Sequence, residues 1–193
     1  MQNNKLRVVV TGCRMGRHHA EALAGLEEFQ LTALCDIKED VARELADSLG
    51  DPAVYKDYST MLKEEKPDIV VIATPNNLHA SMTIEAAGAG VKGIYCEKPM
   101  ATCMKDARMM ADECRKKEIP FVIGHQRRMS RVYKSMRRLI EDGVVGDVYL
   151  IRGTCAGDVL SDGTHTIDTM LHLTGDKGIR WVLGQIYRGP SEP

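Results

Sequence analysis

No charge of either sign predominates in this chain: 26 lysines and arginines nearly cancel 27 aspartates and glutamates, leaving a net charge of −1. A broad basic surface is therefore excluded, and nucleic acid is not an expected partner. Long apolar runs are also missing. The opening residues are polar, and the run that follows, Leu6 to Val10, holds only one leucine and three valines. That is too short for a secretory signal or a membrane span, so a soluble, cytoplasmic protein with no membrane partner is expected. Paired cysteines are lacking too. The six cysteines, at positions 13, 35, 96, 103, 114 and 155, form no C-x-x-C motif, which excludes a small disulfide-stapled scaffold and predicts reduced thiols. No internal repeat or low-complexity tract is present.

What the chain does have is an alternation of elements. Strands are predicted over 6–10, 31–35, 68–73, 91–95 and 119–123, and helices over 17–26, 39–49, 59–65, 78–89 and 102–117. Such alternation implies right-handed crossovers and an α/β fold, a doubly wound parallel sheet covered on both faces. Asp68-Ile69-Val70-Val71-Ile72-Ala73 reads as a strand buried on both sides. After about residue 124 the pattern changes to a basic amphipathic helix over 130–140, a strand over 147–153, a helix over 165–173 and a last strand over 181–186. Two domains are expected, the first over 1–123 and the beginning of a second over 124–193. Its strands are too few to make a covered sheet alone.

Thr11-Gly12-Cys13-Arg14-Met15-Gly16 lies between the first strand and the first helix. A glycine turn there lets backbone N–H groups and the positive helix end face a pyrophosphate. Thr11 and Cys13 occupy the first two glycine positions of the G-x-G-x-x-G pattern ending at Gly16. Cys13 thus puts a side chain at the place of closest phosphate approach, unless the turn is shifted to use Gly12. Asp36 ends the second strand about 20 residues beyond the turn, where a carboxylate accepts hydrogen bonds from an adenosine ribose. It would repel a 2′-phosphate, so NAD is preferred over NADP. Its plainer use is to cap the turn into helix 39–49.

Three further constellations carry chemistry. Thr74-Pro75-Asn76-Asn77-Leu78-His79 follows a buried strand at the ligand end of the sheet, with Asn76 either facing a cofactor or capping the next helix. In Glu97-Lys98-Pro99 the proline holds Lys98 in an extended turn from which its ammonium can stabilise alkoxide character; a solvated surface pair is the plainer reading. In Asp162-Gly163-Thr164-His165-Thr166-Ile167-Asp168, His165 opens a helix, with Asp168 and His172 one and two turns on. His165 can accept a hydroxyl proton with a carboxylate orienting it. No third ligand at metal spacing accompanies Asp168 and His172, so no metal site is predicted.

In this order the glycine turn, Asp36, the 74–79 segment, Glu97-Lys98-Pro99 and Gly163-Thr164-His165-Thr166-Ile167-Asp168 resemble the Gfo/Idh/MocA oxidoreductase family. The stretches Arg14 to Ala20 and Gly124-His125-Gln126-Arg127-Arg128 through Gly146 are similar to it as well. The resemblance implies a Rossmann domain for NAD(P), followed by an α+β domain whose open sheet packs against another subunit, hence a homo-oligomer. It implies oxidation or reduction of sugars, cyclitols or related polyols. By position Lys98 matches the catalytic lysine and His165 the catalytic histidine. Many members carry an aspartate four residues before that histidine; Ser161 stands there, and Asp162, one residue later, is the conditional assignment. Gly12, Arg14, Met15, Gly16, Asp36, Thr74, Asn76, His79 and Glu97 are the expected cofactor contacts, and Arg128 and Asp168 the substrate contacts. Family members are generally longer, so only part of the second domain is expected here. Two other functions stay open: a non-catalytic dinucleotide-binding module, and a glycosidase of the same family that uses bound NAD for transient oxidation.

Overall fold

The computed structural model describes residues 5–185. Six parallel strands form one sheet: β1 (Leu6–Thr11), β2 (Phe29–Cys35), β3 (Ala53–Tyr55), β4 (Ile69–Ile72), β5 (Gly93–Cys96) and β6 (Phe121–Ile123). Their order is β3-β2-β1-β4-β5-β6. The chain thus winds outward from β1 in one direction and then from β4 in the other. Between β1 and β4 the two sets of crossovers diverge, opening a crevice at the carboxyl ends of the strands.

Strand periodicity explains why both faces are covered. Val8, Val9 and Val10 of β1 are all fully buried, yet they serve different cores. Val8 and Val10 pack with Ala20 of α1 (Arg17–Ala24) and with Ala42 and Leu45 of α2 (Glu39–Ser48). Val9 points the other way. It joins Met61 of α3 (Tyr58–Glu65), Met82 and Ala86 of α4 (His79–Gly88), and Met110 of α5 (Met104–Lys116). A strand with two buried faces needs apolar residues at every position, which the valine run supplies. Asp57 starts α3 by accepting the N–H of Thr60 at 2.7 Å, and Lys66 ends it in the left-handed region, φ 45°. The short edge strand β3 has no sequence expectation behind it, for three residues are too few to show a period.

The chain divides into two compact units that do not follow a single cut. The first takes in the chain up to His125 and also Gly157–Thr164; the second holds Gln126–Ala156 and the chain from His165. In the first unit, Asp158 caps a π turn over Val159–Gly163, accepting the N–H groups of Leu160 and Ser161, while the Ser161 hydroxyl is bonded to the Asp158 N–H. The second unit is built on α6 (Arg131–Glu141) and, from His165 on, α7 (Thr164–Leu173).

The strand expected over 147–153 does not form, and 181–185 are not a strand either; Ile186 lies outside the described residues. A strand needs a hydrogen-bonded neighbour, and among the described residues neither segment is paired in a sheet. Tyr149, Leu150, Trp181 and Leu183 are consequently exposed.

Candidate active site

The first unit holds a cleft of about 440 Å³ at the carboxyl ends of β1, β2, β4 and β5. Gly12, Arg14 and Met15 enter it from the first turn, Asp36 from the end of β2, Thr74 and Asn76 from the loop after β4, and Glu97 and Lys98 from the loop after β5. Four segments well separated in sequence therefore meet where the fold opens.

The glycine turn is shifted by one residue, and the shift decides what Cys13 does. Gly12 has φ +85°, and a Cβ there would lie 2.3 Å from the Ala73 carbonyl oxygen. Only glycine suits both the conformation and the contact. A Cβ on Gly16 would fall 2.7 Å from the Gly12 carbonyl oxygen and from Val10 Cγ1, so its hydrogen is what lets α1 close on β1. Of the two arrangements the sequence allowed, the turn takes the shifted one on Gly12, and the Cys13 side chain is fully buried in the α1–α2 core. Burial, then Asp36 and Cys35 nearby, push its thiol up to about 12.

Asp36 ties this turn to β2. Its Oδ2 accepts the Cys13 N–H at 2.8 Å and its Oδ1 the Lys38 N–H at 2.9 Å. The second bond is the turn-capping use that sequence allowed; the first ties the carboxylate to the glycine turn after β1. Each oxygen keeps a further lone pair for a ribose hydroxyl. Asn76 opens a 3₁₀ turn, Asn76–Leu78, without capping it, so its exposed amide is left to the cleft.

His79 is placed differently from expectation. Its ring is fully buried, Nδ1 2.8 Å from the Pro99 carbonyl oxygen and Nε2 2.9 Å from that of Thr74. With both nitrogens on main-chain carbonyls, the imidazole braces two loops of the cleft rather than contacting a cofactor.

Glu97 is half-buried, which raises its pKa. Hydrogen bonds from His19, the Lys98 amide and Tyr95 outweigh that burial and hold the carboxyl below the usual range. Lys98 Nζ donates to the Ser161 carbonyl oxygen at 3.3 Å, so the π turn that carries Ser161 and the exposed Asp162 meets the lysine. His19 and Ser161 were not among the expected site residues. Spacing alone points to His19, three residues beyond Gly16 and on the same helix face.

In the second unit, His165 is buried near the start of α7. Arg128 and Asp168, the expected substrate contacts, bind each other. Arg128 Nε lies 2.8 and 2.9 Å from the two Asp168 carboxylate oxygens, and its Nη2 2.8 Å from Asp176. Arg137 joins from α6 through Asp176, Glu141 and His172 Nδ1. These hydrogen bonds raise the Arg128 pKa further; the guanidinium is satisfied by carboxylates of its own unit. Among the described residues there is no group of three or more His, Cys, Asp or Glu able to hold a metal, and no helix long and apolar enough to cross a membrane.

The cleft also passes a test for a dinucleotide. No side chain caps the N-terminus of α1, a cradle of glycine backbone leads into it, and a carboxylate closes the far side at the end of β2. Residues 6–125 match the model of an oxidoreductase family with an NAD-binding Rossmann fold. Myo-inositol 2-dehydrogenase of Thermotoga maritima is 31% identical over 150 residues, covering 77% of this chain and 45% of that protein. D-glucoside 3-dehydrogenase of Escherichia coli is 26% identical over 203 residues, covering 94% and 58%. Among solved structures, apo scyllo-inositol dehydrogenase of Lactobacillus casei superposes with a TM-score of 0.83 at 23% identity, covering 91% of this chain and 56% of that one, a likeness of fold. The chain spans about half the length of the curated relatives it matches. With its shifted glycine turn, its Asp36 and its Glu97-Lys98-Pro99 loop gathered at one sheet edge, the chain belongs to the Gfo/Idh/MocA oxidoreductase family.

Proposed function

We propose that this protein is an NAD-dependent oxidoreductase that interconverts a secondary alcohol of a sugar, cyclitol or related polyol and the corresponding ketone. The observation that carries this reading is the convergence of Gly12, Asp36 and Lys98 on one cleft. The Gly12–Gly16 turn and the start of α1 would hold the pyrophosphate, Asp36 the adenosine ribose, and Asn76 and Glu97 the nicotinamide end. Bound there, the coenzyme supplies the hydride acceptor. Lys98 donates a hydrogen bond to the substrate oxygen and stabilises its developing negative charge. By family position His165 receives the hydroxyl proton and Asp162 supports it. Residues from 124 onward act as the substrate and assembly domain. The exposed Tyr149, Leu150 and Trp181 support association of copies into a homo-oligomer, and six unpaired thiols support a cytoplasmic location.

Calorimetric titration with NAD tests the first half, and saturable binding is expected. Turnover of a polyol panel by the wild type and by Lys98→Met tests the second. Loss of the lysine is expected to lower kcat by about 10²–10³, with coenzyme affinity little changed. Absence of NAD binding, or equal turnover by the variant, overturns the reading.

A further inference from the structure

The carboxylate beside Lys98 is restrained on more sides than a coenzyme contact requires. His19 Nε2–H donates to Glu97 Oε1 at 2.7 Å, and the Tyr95 hydroxyl reaches the same oxygen at 3.3 Å. Glu97 Oε2 accepts the backbone N–H of Lys98 itself at 3.2 Å. The His19 and Tyr95 rings lie 4.8 Å apart at 58°. Gly124 closes the cluster, since a Cβ there would come within 2.7 Å of the Tyr95 hydroxyl and 3.1 Å of both Glu97 oxygens. The shortest bond in this cluster is the charge-assisted one from His19.

His19 belongs to α1, the helix that opens from the glycine turn, whereas Glu97 and Lys98 follow β5. The contact therefore joins the helix whose N-terminus would face the coenzyme phosphates to the loop that carries the reactive lysine. We propose that His19 is a positioning residue: by fixing Glu97 it sets the backbone of Lys98, and it transmits any displacement of α1 to that lysine. This rests on the reading of Lys98 as the group that polarises the substrate oxygen.

The amide nitrogen of glutamine sits at about the distance from Cα that Nε2 does in histidine, while that of asparagine is one bond short. His19→Gln therefore keeps a donor within reach of Glu97 and His19→Asn does not. Both side chains are polar, and the His19 side chain is 29% exposed, so the fold should accept either.

The readout is the rate at which trace acetic anhydride acylates Lys98 in the coenzyme-free full chain, measured by mass spectrometry. Lys92 is the internal reference, paired with Asp68 at the opposite end of the strands. His19→Asn is expected to raise Lys98 acylation relative to Lys92 by about fivefold, and His19→Gln to leave it within about twofold. Tyr95→Phe should give a smaller rise, matching its longer bond. Should His19→Asn fail to fold, Glu97→Gln weakens the same link from the other side and must raise Lys98 reactivity likewise. Unchanged Lys98 reactivity in the folded Asn variant, or an equal rise in the Gln variant, overturns the proposal. Titration of the wild type with NAD separates this from the functional reading: absent binding removes the coenzyme, while the acylation comparison stands or falls on the free protein.

Discussion

Asp36 accepts the main-chain N–H of Cys13 at 2.8 Å, so the carboxylate at the end of β2 and the turn after β1 are one construction. Removing the carboxylate releases both the turn and the expected ribose contact. Asp36→Ala is expected to weaken NAD by about 10–100-fold, the loss of hydrogen bonds to a charged group, and to narrow the preference over NADP. Parallel titrations with the two coenzymes measure this, and unchanged affinity for both would remove Asp36 from the site.

Gly16→Ala probes the close approach of α1 and β1. The new methyl meets backbone at Gly12 and a fully buried valine, neither of which is a flexible side-chain end. A loss of about 1–3 kcal/mol on denaturant unfolding is expected, the usual cost of overpacking. Gly25→Ala is the control, because its Cβ would come no nearer than 3.6 Å to any neighbour.

Arg128→Ala separates a scaffold role from a substrate role. Loss of the bonds to Asp168 and Asp176 is expected to destabilise the second unit by about 1–3 kcal/mol, since the Arg128 and Asp168 side chains are only 29% and 15% exposed. Faster amide exchange along α7, with NAD affinity unaltered, would be the signature. A change confined to substrate KM would instead restore Arg128 to the substrate pocket.

The thiols should sort by environment. Burial first, then neighbouring acidic groups, puts Cys13 at about 12 and Cys35 at about 11, while Cys103 and Cys155 are exposed. At neutral pH iodoacetamide is expected to modify Cys103 and Cys155 and to leave Cys13, Cys35 and Cys96 unmodified in the folded chain. Peptide mapping reads the outcome, and rapid modification of Cys13 would contradict its place in the core.

Much of the first unit was legible because its signals are local. The valine run of β1 and the all-apolar 69–72 segment show strands buried on two faces, and Asp36 and Lys98 lie at strand ends that the winding rule brings to one edge. What escaped depends on contacts distant in sequence. Nothing in the 79–99 interval tells that the His79 ring is held between the carbonyls of Thr74 and Pro99, and Arg128 shows no sign of its partners 40 and 48 residues away. The strand expected over 147–153 fails for the same reason: pairing requires a neighbour that a stretch of sequence cannot supply by itself.

The inward turn of Cys13 bears on how such proteins are recognised. A search that demands glycine at three fixed places would pass over this chain, although Thr11 ends a strand and Cys13 faces the core, so neither obstructs a bound phosphate. The physical requirement is narrower than the written motif: freedom from a side chain at Gly12 and at Gly16, where backbone leaves no room for one. Patterns weighted by which positions crowd the main chain would recover degenerate dinucleotide folds that a literal fingerprint rejects.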